Sequence, residues 1–279
     1  MDNKDELTFE LQKALAEKEI MEKVNVRVRR KTSWVLLFLS FMSLVLVTFA
    51  WFTISTLANV EKLDMSIGTA PDLRISTENH GSNFKQYVKT VTDKMIDKEL
   101  TDRFNTTMKD QILDPVTSSN GRDFKSRGGT SLERNKNTFL EFDLYLIATK
   151  DLTVHITNEI DKENKIKGTQ VSTKETGAKA DIVKAVRFSF TNEEGKTIIY
   201  EPNKGTAVAG QTTFDLSRPM VYSPMVYSNA NKVCELKKLT PQKVTVRVWF
   251  EGEDPECVNR IQESTMEAIL TFGGEADAS

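Results

Sequence analysis

"KVTVRVWFEGEDPEC", Lys243 to Cys257, contains the two patterns that decide how this chain folds. Its first eight residues set Val244, Val246, Val248 and Phe250 against Thr245, Arg247 and Trp249. Strict period two means one buried face and one solvated face, which antiparallel sheets allow and parallel sheets rarely do. The remaining residues crowd Glu251, Glu253, Asp254 and Glu256 onto a turn. Ca²⁺ takes hard oxygen ligands, so these four are the candidate metal ligands, although their spacing is not that of an EF-hand loop. A solvated strand exit is the plainer alternative.

The same alternation recurs on both sides of this stretch. "LDMSIG" sets Leu63, Met65 and Ile67 against polar neighbours, and "DLRIS" repeats the device with Leu73 and Ile75. "FLEFDLYLIA" opposes Leu140, Phe142, Leu144 and Leu146 to Glu141, Asp143 and Tyr145. "AVRFSF" opposes Val186, Phe188 and Phe190 to Arg187 and Ser189, and "MEAILTF" supplies a last strand. Separators such as "NEEG", "EPNKG" and "EGEDPE" carry turn chemistry. Strands without helical crossovers predict a mainly β domain over residues 58–279, an antiparallel β-sandwich or jelly roll.

Three segments depart from that pattern. Between residues 83 and 113 the apolar residues Tyr87, Val91, Met95, Leu100, Phe104, Met108 and Ile112 recur every four or five positions, which predicts a helical insert over the sandwich. Residues 114–138 form a polar Gly/Ser/Asn loop, and loops of that length are mobile or functional. Asp161 to Lys179 is charged and Gly/Thr-rich, the composition of a solvated hairpin tip.

Upstream lies a different kind of segment. Trp34 to Ile54 is a run of 21 residues without a charge, and 13 of them are Val, Leu, Ile or Phe. As a helix it would span roughly 31 Å at ~1.5 Å per residue, matching a ~30 Å hydrocarbon core. Residues 34–57 are therefore expected to be a transmembrane helix or signal-anchor whose partner is the lipid bilayer. Arg27, Arg29, Arg30 and Lys31 precede the run, which keeps the amino terminus cytoplasmic and sends the later residues outside. Trp34 and Trp51 stand where the two headgroup layers favour amphipathic rings. Thr48-Phe49-Ala50 also fits a small-x-small cleavage site, so removal after Ala50, giving a secreted product, is the alternative. Residues 1–33 read as a charged, amphipathic cytoplasmic helix.

Composition narrows function further. Beyond residue 33 the chain holds 30 basic and 33 acidic residues, with no basic patch of the kind that binds nucleic acid. Cys234 and Cys257 permit one disulfide in an oxidising compartment, and two independent thiols are the alternative. The two histidines, His80 and His155, form no HExxH helix, and alternation points His155 to a solvated strand face. No P-loop, Rossmann fingerprint or nucleophile elbow occurs, so neither a catalytic residue nor a cofactor is assigned, calcium apart.

"FAWFT" at the outer membrane boundary, followed by short alternating strands, resembles the TasA/camelysin group of Gram-positive surface and biofilm-matrix proteins. "ILDPVTSSNG", "FLEFDLYL", "AVRFSF" and "VTVRVWFEGEDPEC" are similar to membrane-anchored ectodomains of the same bacteria. The resemblance runs from about Val47 to Phe272. It implies a jelly-roll domain outside the cell membrane that acts as a structural or adhesive component, in TasA-like proteins by giving an extended segment to a neighbour's sheet. The partners would be other copies or other surface proteins, met through edge strands. Two alternatives stand beside it: a secreted camelysin-like peptidase, for which no zinc motif can be carried over, and a single-pass sensor or accessory membrane protein.

Overall fold

The computed structural model describes residues 13, 15–19, 21–22, 37–42, 58–68, 70, 72–135, 137–158, 168–202, 208–216, 228–257, 261 and 263–276. The chain divides into two compact units, Met1–Ile54 and Ser55–Ser279. In the first, the described residues are helical. Among the described residues no helix is long and apolar enough to cross a membrane. Of the run Trp34–Ile54 only 37–42 are described, while Arg27, Arg29, Arg30, Lys31, Trp34, Ala50 and Trp51 lie outside the described residues.

The second unit is mainly β. Its chain begins with β1 (Ala58–Ile67), β2 (Leu73–Ser76), β3 (Thr90–Val91) and helix α1 (Asp93–Phe104). A small hairpin, β4 (Phe124–Lys125) and β5 (Ser131–Leu132), precedes β6 (Leu140–Ala148), β7 (Leu152–Thr157) and β8 (Gln170–Ser172). There follow β9 (Val186–Asn192), β10 (Thr197–Tyr200), β11 (Lys232–Leu236), β12 (Gln242–Phe250) and β13 (Ser264–Ala276). Among the described residues the first sheet has the order β11-β7-β13-β1-β3, with β8 also on β13, and the second has the order β10-β9-β12-β6-β2. Among the described strands pairing is antiparallel except between β1 and β13. β1 runs parallel to β13, from Ala58 beside Ser264 to Ile67 beside Phe272, with a bulge between Val60 and Lys62.

The alternation predicted for the inward faces holds. Leu63, Met65 and Ile67 of β1, Phe142 and Leu144 of β6, Phe188 and Phe190 of β9, Val244, Val246 and Val248 of β12, and Leu270 and Phe272 of β13 share one core. Phe190 and Phe272, from opposite sheets, meet edge to face with centroids 6.0 Å apart. That contact marks the two sheets as layers of one sandwich.

The outward face of the second sheet corrects the expectation. Arg187, Ser189 and Trp249, assigned by alternation to a solvated surface, are all 0% exposed. Over Ser189 and Trp249 the covering element is the polar segment 114–138, read from sequence as a long loop that is mobile or functional. Its backbone pairs with the end of β12: Val116 donates to Phe250 O at 3.1 Å, and Gly252 donates to Val116 O at 2.9 Å. Val116, Phe124, Phe139, Ile199 and Trp249 then form a second, separate core. Phe124 stacks on Phe139 with centroids 4.0 Å apart and meets Trp249 edge-on at 5.2 Å. At Gly121, with φ +69°, a Cβ would lie 2.6 Å from Ser189 Cβ, so the backbone crosses the sheet where both side chains are minimal. Period two cannot report such a cover, because it says which residues share a face and not what lies on it.

The helical insert is narrower than its predicted span of 83–113. Helix runs from Asp93 to Phe104, preceded by a 3₁₀ turn at Phe84–Gln86 and by edge strand β3. The Asp93 N–H donates to Asp64 Oδ1 of β1 at 3.1 Å, a carboxylate at the positive end of the helix. The other end stops at Asn105 in the left-handed region, φ 53°, whose N–H bonds Thr101 O. Ile96 and Leu100 enter the main core. β2 pairs with β6 only from Tyr145 onward, which leaves the earlier edge of β6 open. The Glu99 carboxylate fills that gap by accepting the Asp143 N–H at 3.1 Å. Arg103 closes the arrangement on Glu99 at 2.6 Å and on Asp143 at 3.1 Å.

Replacing Trp249 by Ala tests the covered face. If the segment holding Phe124 and Phe139 packs on it as described, chemical denaturation should show a loss of about 3–5 kcal/mol. A change within about 0.5 kcal/mol, the ordinary result at a solvated position, would contradict it.

Candidate functional site

The acidic turn sits where the cover meets the sheet. Glu251 and Asp254, two of the four candidate calcium ligands, point inward, with exposures of 0% and 2%. Glu253 is exposed and Glu256 half-buried. The structure therefore does not gather the four carboxylates around one point. Among the described residues no group of three or more His, Cys, Asp or Glu side chains could hold a metal ion.

The cation that answers Asp254 is Arg187. In register β9 places Arg187 beside Trp249 of β12, on the outward face. Its Nη2 donates to Asp254 Oδ2 at 2.5 Å and lies 3.0 Å from Glu201 Oε1. Nη1 donates to the carbonyls of Lys184 at 2.5 Å and Val186 at 3.1 Å, and Nε donates to Gln211 Oε1 at 3.2 Å. A guanidinium has five N–H groups, and here every nitrogen has acceptors within reach. With side-chain exposures of 0%, 1% and 0% for Arg187, Glu201 and Asp254, one guanidinium answers two carboxylates out of water.

Glu251 is held by neutral donors. Its Oε2 accepts from Trp249 Nε1 at 3.0 Å, from Gln211 Nε2 at 2.9 Å and from the Ser118 N–H at 3.4 Å. Gln211 thus bridges Arg187 and Glu251 while donating also to Ser118 O at 2.7 Å. Thr213 donates to Glu201 Oε2 at 2.6 Å. Four chain segments far apart in sequence converge: the cover (Ser118), β9 (Arg187), the stretch after β10 (Glu201, Gln211, Thr213) and the acidic turn. Beside them a hydrogen bond to Asp254, assisted by burial, raises the Glu256 carboxyl above the usual carboxylate range.

Sequence reasoning found the turn and missed its partners. Arg187 was assigned to a solvated face, and Glu201 fell inside a turn separator. The available signal was the pair Arg187 and Trp249, two large side chains at outward positions of strands that both carry apolar residues on the other face.

Cys234 and Cys257 are both free thiols buried in the main core. Burial pushes each thiol up to about 12, so neither is a thiolate at neutral pH. His155 also departs from expectation. It is 3% exposed, on β7, with Nδ1 3.4 Å from Asn231 Oδ1 and Nε2 3.7 Å from Glu275 Oε2. The outward face of the first sheet is covered there too. Burial holds the imidazole below its usual 6.5.

No family model matches the chain, and no curated protein matches it.

Two outcomes follow from the site. Arg187→Met leaves Asp254 and Glu201 buried without their cation, and should cost about 3–5 kcal/mol by urea unfolding. Calcium added to the unaltered protein should leave the unfolding midpoint where a chelator leaves it, and a rise would assign the turn to the metal instead. His155 sets a pH dependence. The unfolded chain takes up a proton near 6.5 that the folded chain accepts only at lower pH, so stability falls as pH drops below about 6.5. Urea midpoints across that range should show a shallower loss in His155→Gln, and parallel curves would remove His155 from the account.

Proposed function

We propose that the chain is a single-pass bacterial surface protein of the TasA/camelysin kind, with its amino terminus inside and its β-sandwich, of jelly-roll type, outside. There it serves as a non-catalytic structural or adhesive component. One observation carries the proposal: a sandwich that turns Glu251 and Asp254 of its acidic turn inward follows in sequence on an uncharged run of 21 residues. The described part of that run supports the bilayer as partner. Leu37, Phe38 and Phe41 are helical and 64%, 63% and 61% exposed, and large apolar groups left uncovered call for a lipid or protein surface.

Edge strands give the adhesive half of the proposal its physical basis. In the second sheet, β2 is bridged by Val88 and β10 by Phe214, so both edges have backbone partners. β11 of the first sheet has β7 alone beside it among the described residues. An incoming strand would satisfy its remaining N–H and C=O groups, which is how a sheet recruits another copy or another surface protein.

Fractionation of cells carrying an epitope at each end of the chain, combined with surface protease shaving, tests the proposal. The expected result is a membrane-bound protein that loses its carboxy-terminal epitope from intact cells and keeps the amino-terminal one. A freely soluble cytosolic chain would overturn it. Fibres of the purified protein in electron micrographs would support assembly through the edge, whereas casein cleavage would favour the peptidase.

A further inference from the structure

We propose that the domain bears mechanical load, and that the β1–β13 pair is the clamp that resists it. The surface reading above supplies the source of the load; the clamp itself follows from topology. β1 and β13 are the first and last strands of the sandwich among the described residues, and they are hydrogen-bonded neighbours running parallel. In a parallel pair the entry of one strand and the exit of the other lie at opposite ends. Tension between the chain's two ends is therefore directed along the strands and slides β1 past β13. The register extends from Ala58 beside Ser264 to Ile67 beside Phe272, about 30 Å at ~3.3 Å per residue. Every rung of that ladder is loaded at once. In a hairpin pulled at its open end, by contrast, the rungs fail one after another.

Sliding is opposed by more than backbone bonds. A slip of one residue would turn each side chain to the wrong face. Leu63 and Met65 of β1 and Leu270 and Phe272 of β13 are all 0% exposed, so every such slip would drive core side chains out. Both strands are also interior to their sheet. β13 is flanked on its other side by β8 at Glu267–Ile269 and by β7 at Thr271–Ala276. The far edge of β1 is held by β3 at Met65 and Ser66, and by Leu113, which exchanges two hydrogen bonds with Ala58 at 3.2 and 2.9 Å. Outside the core, Lys174 Nζ lies 2.7 Å from Glu267 of β13 and 3.7 Å from Glu61 of β1, a strap across both strands. Through β7 the same sheet continues to the edge at β11, so a load applied there reaches β1 without leaving the sheet.

Single-molecule force spectroscopy on the detergent-solubilised full chain tests the clamp. One geometry attaches handles to the two termini. The other keeps the amino-terminal handle and attaches the second at Glu263→Cys, an exposed position next to Ser264, where maleimide chemistry avoids the buried Cys234 and Cys257. The second geometry pulls β1 and β13 apart from the same end and unzips them. The terminal pull should rupture at a force several-fold higher, in one step that releases the whole sandwich. Equal forces in the two geometries would overturn the proposal. Should the cysteine variant fail to fold, the terminal pull decides alone: an early, low-force step of the length of β1 would refute the clamp. These forces do not depend on where the protein resides, so they stand or fall separately from fractionation.

Discussion

The guanidinium of Arg187 is the point at which the outer layer of this sandwich is tied down. It is fully buried, it faces two buried carboxylates, and each of its nitrogens has acceptors. An ion placed this way is costly to desolvate and costly to leave alone, so the groups around it must arrive together. Asp254 brings the turn after β12, Glu201 the end of β10, and Gln211 the following stretch together with Ser118 of the cover. Polar networks of this kind specify an arrangement more than they add stability, because a partly formed version is worse than none. The apolar weight on the same face comes from Trp249, Phe124 and Phe139.

This division explains what could be read from the chain and what could not. The inward faces were legible because period two is a local property: Leu140, Phe142, Leu144 and Leu146, or Val244, Val246 and Val248, point one way whatever lies opposite. The parallel union of β1 and β13 was not, since both strands alternate and alternation favours antiparallel neighbours. The outward face was misread for a related reason. Trp249 looks like a surface residue until a segment more than 100 residues earlier is laid over it, and Arg187 until Glu201, Gln211 and Asp254 close on it. The helical insert was recognised from its apolar spacing but overextended, since spacing alone does not register that Thr90–Val91 is better used as an edge strand or that Asn105 ends the helix. Of the acidic turn, the residues were seen and the counter-ion was not. A protein side chain and a metal ion satisfy the same carboxylates, and sequence shows only the carboxylates.

The two sheets divide the labour of the domain. The second is closed: cover on its outward face, bridged edges, and buried carboxylates held by Arg187 and by neutral donors. The first contains the first and last described strands, β1 and β13, paired in parallel, and the edge at β11. On the proposed reading, contacts and load pass through the first sheet while the second stays shut. Glu99 and Arg103 on helix α1 serve the same end, closing the part of β6 that β2 leaves open.

Coupling between Arg187 and Asp254 tests the central claim most directly. In a double-mutant cycle with Arg187→Met and Asp254→Asn, loss of the guanidinium alone leaves two buried carboxylates, Asp254 and Glu201, without a cation, whereas in the double variant Glu201 alone is left so. The double variant should then be more stable than the sum of the two losses implies, by about 0.5–3 kcal/mol in urea unfolding. Strict additivity of the two single substitutions would mean that the guanidinium does not hold the acidic turn, and the account of the covered face would fail with it.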